Sequence, residues 1–445
     1  MSRRQLHDRR TVHDRRTVRP GRLVAAGLAC VALTAAPAWS TAGASAEAAP
    51  AQARPCSPGT GGWVGSWETA PASGVPGPRG VASGYTLRQV AHLSVGGTAV
   101  RVRLSDRFGT SPMLLGHVTV AVQAPGSPTA AAEPGTVRNV TFGGKPSAAV
   151  PAGHDLVSDA VRLPVSSGAN LMVSTYLPNV SGPVTTHPEA LQTSYFATDG
   201  DHAGDRSGSA FTGTTVQWHD LTGIDVLDRP ARGSVVTLGD SITDGNQSTV
   251  DADRRWPDVL ARRLLSLPPS GQAGVLNAGI SGNRLLLDGG TMGVKALDRL
   301  GEDVFSRTAV CTLVVLESIN DIQQSPHQLD PAKIEAAYRQ IVGEAHARGI
   351  RVVGATLLPF KGFAVWSPTL EQTREAVNAY IRTSGTFDAV VDFDKVMRDP
   401  SDPLRMRPAY DSGDHIHPDD AGYQAMGDAV GLRLLFPGQY GSGAG

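Results

Sequence analysis

Ser234-Val235-Val236-Thr237-Leu238-Gly239-Asp240-Ser241-Ile242-Thr243-Asp244 decides how this chain is to be read. Its first five residues form an apolar-weighted run without the strict alternation of a half-exposed strand. That is the pattern of a strand covered on both faces. Gly239 allows a sharp turn directly after it. Ser241 then stands at the rim of the sheet that the run joins. Gly-Asp-Ser alone is a frequent three-residue match, and Asp240 or Ser241 would serve equally as the N-cap of a helix.

Downstream, helix and strand patterns alternate. Trp256–Leu267 has helical period, Val275–Ile280 reads as a strand, and Met292–Phe305 as a helix. Val310–Leu316 is a second apolar run, and Pro331–Arg348 is a helix opened by Asp330 with proline at its first position. Arg351–Leu358, Pro368–Ser384, Ala389–Phe393 and Asp419–Leu434 continue the rhythm as strand, helix, strand and helix. Such alternation predicts a parallel sheet with helices on both faces and a site at the carboxyl ends of its strands. Phe360, Phe363, Val365 and Trp366, just past one of these strands, are candidates for the wall of an apolar pocket near the rim.

Upstream of Arg229-Pro230 the rhythm differs. Val100-Arg101-Val102-Arg103-Leu104 alternates at period two, and Val95-Gly96-Gly97-Thr98-Ala99 before it reads as a hairpin turn. Further strand candidates are His117–Gln123, Asn139–Phe142, Leu156–Pro164, Asn170–Leu177, Thr193–Ala197 and Thr215–Leu221, with no helix-length segment between them. Many short strands predict an all-β, jelly-roll-like sandwich. Trp63, Trp67, His92, His187, Trp218 and His219 suit either a sugar platform or, as such residues more often do, packing in the core and turns.

The N-terminus reads as an address. Residues 1–22 hold eight arginines and two aspartates, Leu23–Leu33 is apolar, and Ala44-Ser45-Ala46 offers a cleavage site, the three regions of a secretory signal peptide. The apolar run is shorter than the about 20 residues of a membrane-spanning helix. Removing 1–46 takes the formal net charge from −1 to −7. The expected organisation is a signal peptide (1–46), a linker (47–61), a β-sandwich module (62–228), an α/β domain (229–437) and a short tail (438–445). Of the three cysteines, Cys56 and Cys311 remain after export, free to pair or to stay apart. With 40% hydrophobic and 18% charged residues the 445-residue chain has material for sizeable cores. The small net charge argues against disorder, and the lack of a basic cluster past the N-terminus argues against a nucleic-acid partner.

The loops after the predicted parallel strands carry a matched set. Gly239-Asp240-Ser241 follows the first strand, and Ile280-Ser281-Gly282-Asn283 closes the second with a small-residue loop. Glu317-Ser318-Ile319-Asn320-Asp321 brings a side-chain amide to the rim, and Asp414-His415-Ile416-His417-Pro418 puts a carboxylate three residues before an imidazole. Covalent ester hydrolysis needs a nucleophile, a base, a group that orients the base, and oxyanion donors. Each type occurs here. His415, His417, Asp411, Asp414 and Asp419 also lie close together in sequence, but without a second histidine cluster to complete a metal site.

In this order the set resembles the SGNH hydrolases, also called the GDSL esterase family, over roughly Ser234 to Leu435. The resemblance implies a three-layer α/β/α domain. It implies Ser241 as nucleophile, His417 as base and Asp414 as the group that orients it. The oxyanion hole would be formed by the backbone N–H groups of Ser241 and Gly282 and the amide of Asn320. Ser318 departs from the family's usual glycine in G-x-N-D, a strained substitution if the position needs positive φ. The start of the β-rich part, Trp63-Val64-Gly65-Ser66-Trp67, is similar to the N-terminal module of exported actinobacterial members. The expected protein is a secreted serine esterase for small-molecule or polysaccharide esters, preferring short acyl chains. It would work without metal or organic cofactor and without a stable membrane anchor. The alternatives are a lipase or phospholipase of the same family, or a glycan-binding protein on an inactive scaffold.

Overall fold

The computed structural model describes residues 60–76, 84–126, 128–179 and 182–437. The expected signal peptide, most of the linker, the tail, Cys30 and Cys56 lie outside the described residues. Cys311 is disulfide-bonded. All described residues belong to one compact unit.

Five parallel strands form the sheet of the C-terminal part: β1 (Ser234–Gly239), β2 (Gly274–Gly279), β3 (Val310–Leu316), β4 (Arg351–Ala355) and β5 (Ala389–Val391), in the order β2-β1-β3-β4-β5. Around it run α1 (Ser241–Asp244), α2 (Trp256–Leu265), α3 (Ala296–Leu300), α4 (Ile319–Gln323), α5 (Pro331–His346), α6 (Pro368–Thr383), α7 (Phe393–Met397), α8 (Asp420–Ala429) and α9 (Leu432–Leu435). The local signals act as expected at α5, where Asp330 accepts from the Ala332 N–H at 3.0 Å and Pro331 takes the first position. The predicted helix over Met292–Phe305 is instead a 3₁₀ turn (Gly290–Met292), α3, and a π-helical turn (Gly301–Phe305), a break in period that a single amphipathic pattern does not register.

The N-terminal part is antiparallel throughout. One sheet runs Trp63–Glu68, Leu221–Leu227, Val100–Ser105, Asp155–Val157, and a six-stranded sheet is centred on Tyr85–His92 and Asn170–Leu177. Val100, Val102, Leu104, Leu171, Val173 and Ile224 fill the core between them. The hairpin expected at Val95–Ala99 is not one. Tyr85–His92 and Val100–Ser105 flank it but lie in different sheets, so the loop carries the chain across the sandwich. Its glycines permit close backbone approach, and Gly97 exchanges hydrogen bonds with Val165.

Antiparallel sheets give way to the parallel sheet at about residue 229, but packing runs across that point. Ala70 and Ala72 belong to the core of the parallel sheet. Gly65 N–H donates to Ser234 Oγ at the foot of β1 (3.0 Å). A buried ion network also crosses, with Arg307 on Glu68 at 2.6 Å and Arg107 on Asp303 at 2.8 Å.

Candidate active site

β1 ends at Gly239, and Asp240 caps the short helix α1 by accepting from the Ile242 N–H at 3.0 Å. This turn sets Ser241 at the first position of α1, where its own N–H faces away from the helix and donates to no group among the described residues. Ser241 is only 8% exposed, so its hydroxyl is largely shielded from water. Gly279, at the end of β2, lets α1 come close: a Cβ there would stand 2.3 Å from the Asp244 nitrogen.

The loop before α8 supplies the imidazole. His417 Nε2 lies 2.8 Å from Ser241 Oγ, and His417 Nδ1 lies 2.6 Å from Asp414 Oδ2. The other oxygen of Asp414 accepts the backbone N–H groups of Ile416 (3.0 Å) and His417 (2.8 Å). Burial pushes this carboxyl up, but the His417 hydrogen bonds and the backbone N–H of Ile416 outweigh it and hold Asp414 well below the usual carboxylate range. An ionised Asp414 fixes a proton on Nδ1 and leaves Nε2 unprotonated toward the serine. His415 is occupied elsewhere, its Nδ1 2.6 Å from Asp411, and Asp419 caps α8 through the Gly422 N–H. Among the described residues no group of three or more His, Cys, Asp or Glu side chains is arranged to hold a metal ion.

Gly282 and Asn320 follow the two strands that flank β1. Gly282 has φ 78°, a backbone shape that favours glycine. Its N–H donates to no group among the described residues. Asn320, in α4, gives one amide hydrogen to the Asn283 carbonyl at 2.9 Å, which leaves the second for a ligand. The loop is held from below: Asp321 accepts from the N–H groups of Leu285 (2.6 Å) and Leu286 (2.9 Å). Arg299 ties Asn283 Oδ1 (2.9 Å) to the carbonyls of Ala278 (2.8 Å) and Gly239 (3.1 Å).

Beneath Ser241 lies a layer of buried acids. Burial pushes Asp240 up to about 7 and Glu317 well above its ordinary range, and each carboxyl leaves one oxygen without a hydrogen-bond partner. Asp240 makes no hydrogen bond to the His417 side chain, and the carboxylate on that ring is Asp414. Of the suggested sugar platform, Trp67 and Trp218 are buried edge to face at 4.9 Å. Of the candidate pocket walls, Phe360 is fully buried in the core, Phe363 and Trp366 are half-buried, and Val365 is exposed.

Three residues at the site make pairings that no sequence pattern predicts, and of them only His187 stands out by sequence, as a platform or packing residue. Asp244, the last residue of α1, and His187, from the antiparallel strand Val184–His187, are paired at 3.0 Å with both side chains buried. Glu189 accepts from Asn246 Nδ2 at 3.0 Å in the loop after α1. Their partners lie 57 residues away, beyond any periodic or motif signal.

Residues 237–425 match the model of the GDSL-like lipase/acylhydrolase family. No curated protein matches the chain. Among solved structures, a protein of the G-D-S-L family from Desulfitobacterium hafniense is 20% identical, with 45% of this chain and 99% of that one covered and a TM-score of 0.35. A family two carbohydrate esterase from Clostridium thermocellum, in complex with cellohexaose, is 17% identical over 81% of this chain and 91% of that one, with a TM-score of 0.35. A carbohydrate acetylesterase from Sinorhizobium meliloti is 16% identical, at 44% and 95% coverage, with a TM-score of 0.35.

Proposed function

With a GDSL-like lipase/acylhydrolase domain at residues 237–425 as the premise, we propose that the chain is a secreted serine esterase working through Ser241, His417 and Asp414. The observation that carries this reading is the hydrogen-bonded line from Ser241 Oγ to His417 Nε2 (2.8 Å) and from His417 Nδ1 to Asp414 (2.6 Å). Ser241 Oγ attacks the ester carbonyl while His417 takes its proton, and His417 returns that proton to the leaving alcohol. Asp414 keeps the ring in the tautomer that accepts from the serine. The carbonyl oxygen, as it gains charge, is met by the N–H groups of Ser241 and Gly282 and the free amide hydrogen of Asn320. Water, activated by the same imidazole, then releases the acid.

The acyl chain is short, acetyl to butyryl, in this reading, and the alcohol is a small molecule or a polysaccharide. Burial of Phe360 in the core supports this, because it takes one wall from the apolar surface that a long chain would need. No helix among the described residues is long and apolar enough to cross a membrane. The test is hydrolysis of 4-nitrophenyl esters from acetate to dodecanoate by wild type and Ser241→Ala. Turnover should vanish in Ser241→Ala, and kcat/KM should fall beyond butyrate. Each buried methylene of a true acyl groove would add about 0.8 kcal/mol, so an optimum at octanoate or longer would indicate a lipase instead. Unchanged turnover in Ser241→Ala would remove the serine mechanism altogether.

A further inference from the structure

Three elements meet at the Asp244 carboxylate. Oδ1 faces His187 Nε2 at 3.0 Å, while Oδ2 accepts both the backbone N–H and the hydroxyl of Ser281, each at 2.9 Å. His187 Nδ1 lies 2.8 Å from the Ala70 carbonyl, which can only accept, so Nδ1 carries a proton. The ring stacks near Trp218, with centroids 5.6 Å apart and planes tilted by 36°. His187 and Ala70 belong to the antiparallel part, Asp244 to the helix that begins at Ser241, and Ser281 directly precedes Gly282. Both side chains of the pair are at most 3% exposed. Burial pulls the imidazolium down, but the Asp244 charge and hydrogen bond and the Ala70 carbonyl outweigh it and raise His187 above its ordinary value. With Nδ1 already protonated, one further proton lies on the line between His187 Nε2 and Asp244 Oδ1 and joins the two.

We propose that His187 is a positioning residue for ester hydrolysis: through Asp244 it holds the loop bearing the Gly282 N–H against the helix bearing Ser241. The inference rests on the serine esterase reading, and it gives the antiparallel part a share in the chemistry. The physical reason is the placement of the link. Ser241 and Gly282 would both donate to one developing oxyanion, and their spacing depends on α1 and the loop after β2 staying in register. Asp244 is the side chain that bonds directly from the first to the second. His187, bonded to Oδ1, holds the Asp244 side chain in the orientation in which Oδ2 reaches both donors of Ser281. Arg255 braces the same seam, donating its guanidinium to the Ala190 carbonyl.

The test is steady-state hydrolysis of 4-nitrophenyl acetate by the full chain carrying His187→Gln, Asp244→Asn, both together, Ser281→Ala or Ser241→Ala, with thermal unfolding of each. His187→Gln and Asp244→Asn should each lower kcat about tenfold with KM within about twofold, because misplaced oxyanion donors are felt mainly in the transition state. The double variant should lose no more than the worse single one, since both cut the same link. Ser281→Ala removes only one hydrogen bond and should fold normally, with kcat down about threefold. Should His187→Gln fail to fold, Ser281→Ala and Asp244→Asn decide. An inactive Ser241→Ala beside a His187→Gln or Ser281→Ala of unchanged kcat overturns the positioning role alone. Losses that multiply in the double variant would also overturn it. Full turnover in Ser241→Ala would bring down the esterase reading and this inference with it.

Discussion

Ser318 shows how much one residue can store. It sits fully buried at φ 101°, a region that side chains with a Cβ avoid at a cost of order 1–3 kcal/mol. The hydroxyl is what makes it tolerable. Tyr338 donates its own hydrogen to the Glu317 carbonyl at 2.7 Å, so at the 2.9 Å contact Ser318 Oγ must be the donor and Tyr338 the acceptor. Two substitutions separate strain from bonding. Ser318→Gly relieves the backbone and leaves a tyrosine oxygen that already has a partner, and should raise unfolding stability in urea by about 1 kcal/mol. Ser318→Ala keeps the strain, loses the bond and should cost about 1 kcal/mol by the same measurement. Equal effects in both would mean that the angle stores nothing.

At the scale of elements, the site depends on how tightly α1 lies against β2. Gly279→Ala would put a methyl within 2.3 Å of the Asp244 nitrogen, main chain that cannot move without carrying Ser241 along. It should destabilise by about 1–3 kcal/mol, as overpacking does, and lower kcat more than it changes KM, which kinetics with calorimetry would resolve. The same scale shows what the sequence makes legible. Val310–Leu316 and Asn170–Leu177 are read to the residue because each is a β-prone run ended by turn residues. Ser241, Gly282, Asn320, Asp414 and His417 are legible because each falls in a short motif at the end of a strand or just ahead of a helix. The helices α1, α4 and α7 escape notice, being four or five residues long and too short to show a period. The Gly96-Gly97 turn misleads because hairpins and sheet-crossing loops share glycine. His187 is illegible for a deeper reason, since its chemistry exists only once two distant segments touch.

For the whole molecule, the buried acids set a pH response. Burial pushes Asp240 up to about 7 from an ordinary value of 3.8, and Glu317 well above its ordinary 4.5. Between roughly pH 4 and pH 8 the unfolded chain releases these protons and the folded chain retains them, so stability falls as pH rises. His187, also raised, adds to the loss on the alkaline side. Asp414, held low, acts oppositely: its contribution is present above an ordinary value of 3.8 and fades as pH falls below it. Thermal unfolding should therefore show a maximum near pH 4, and Asp240→Asn, which can still cap α1, should flatten the decline toward pH 8. A profile unchanged by Asp240→Asn would assign the slope to other groups. The seam between the two sheet systems has one more consequence, and it concerns time. His187 meets the Asp244 carboxylate from the antiparallel part while Asp244 itself reaches Ser281, so the spacing of α1 and the loop after β2 draws on both parts of the chain. On the proposed reading, the full rate of hydrolysis is then the last property the folding molecule acquires, gained when the two parts dock.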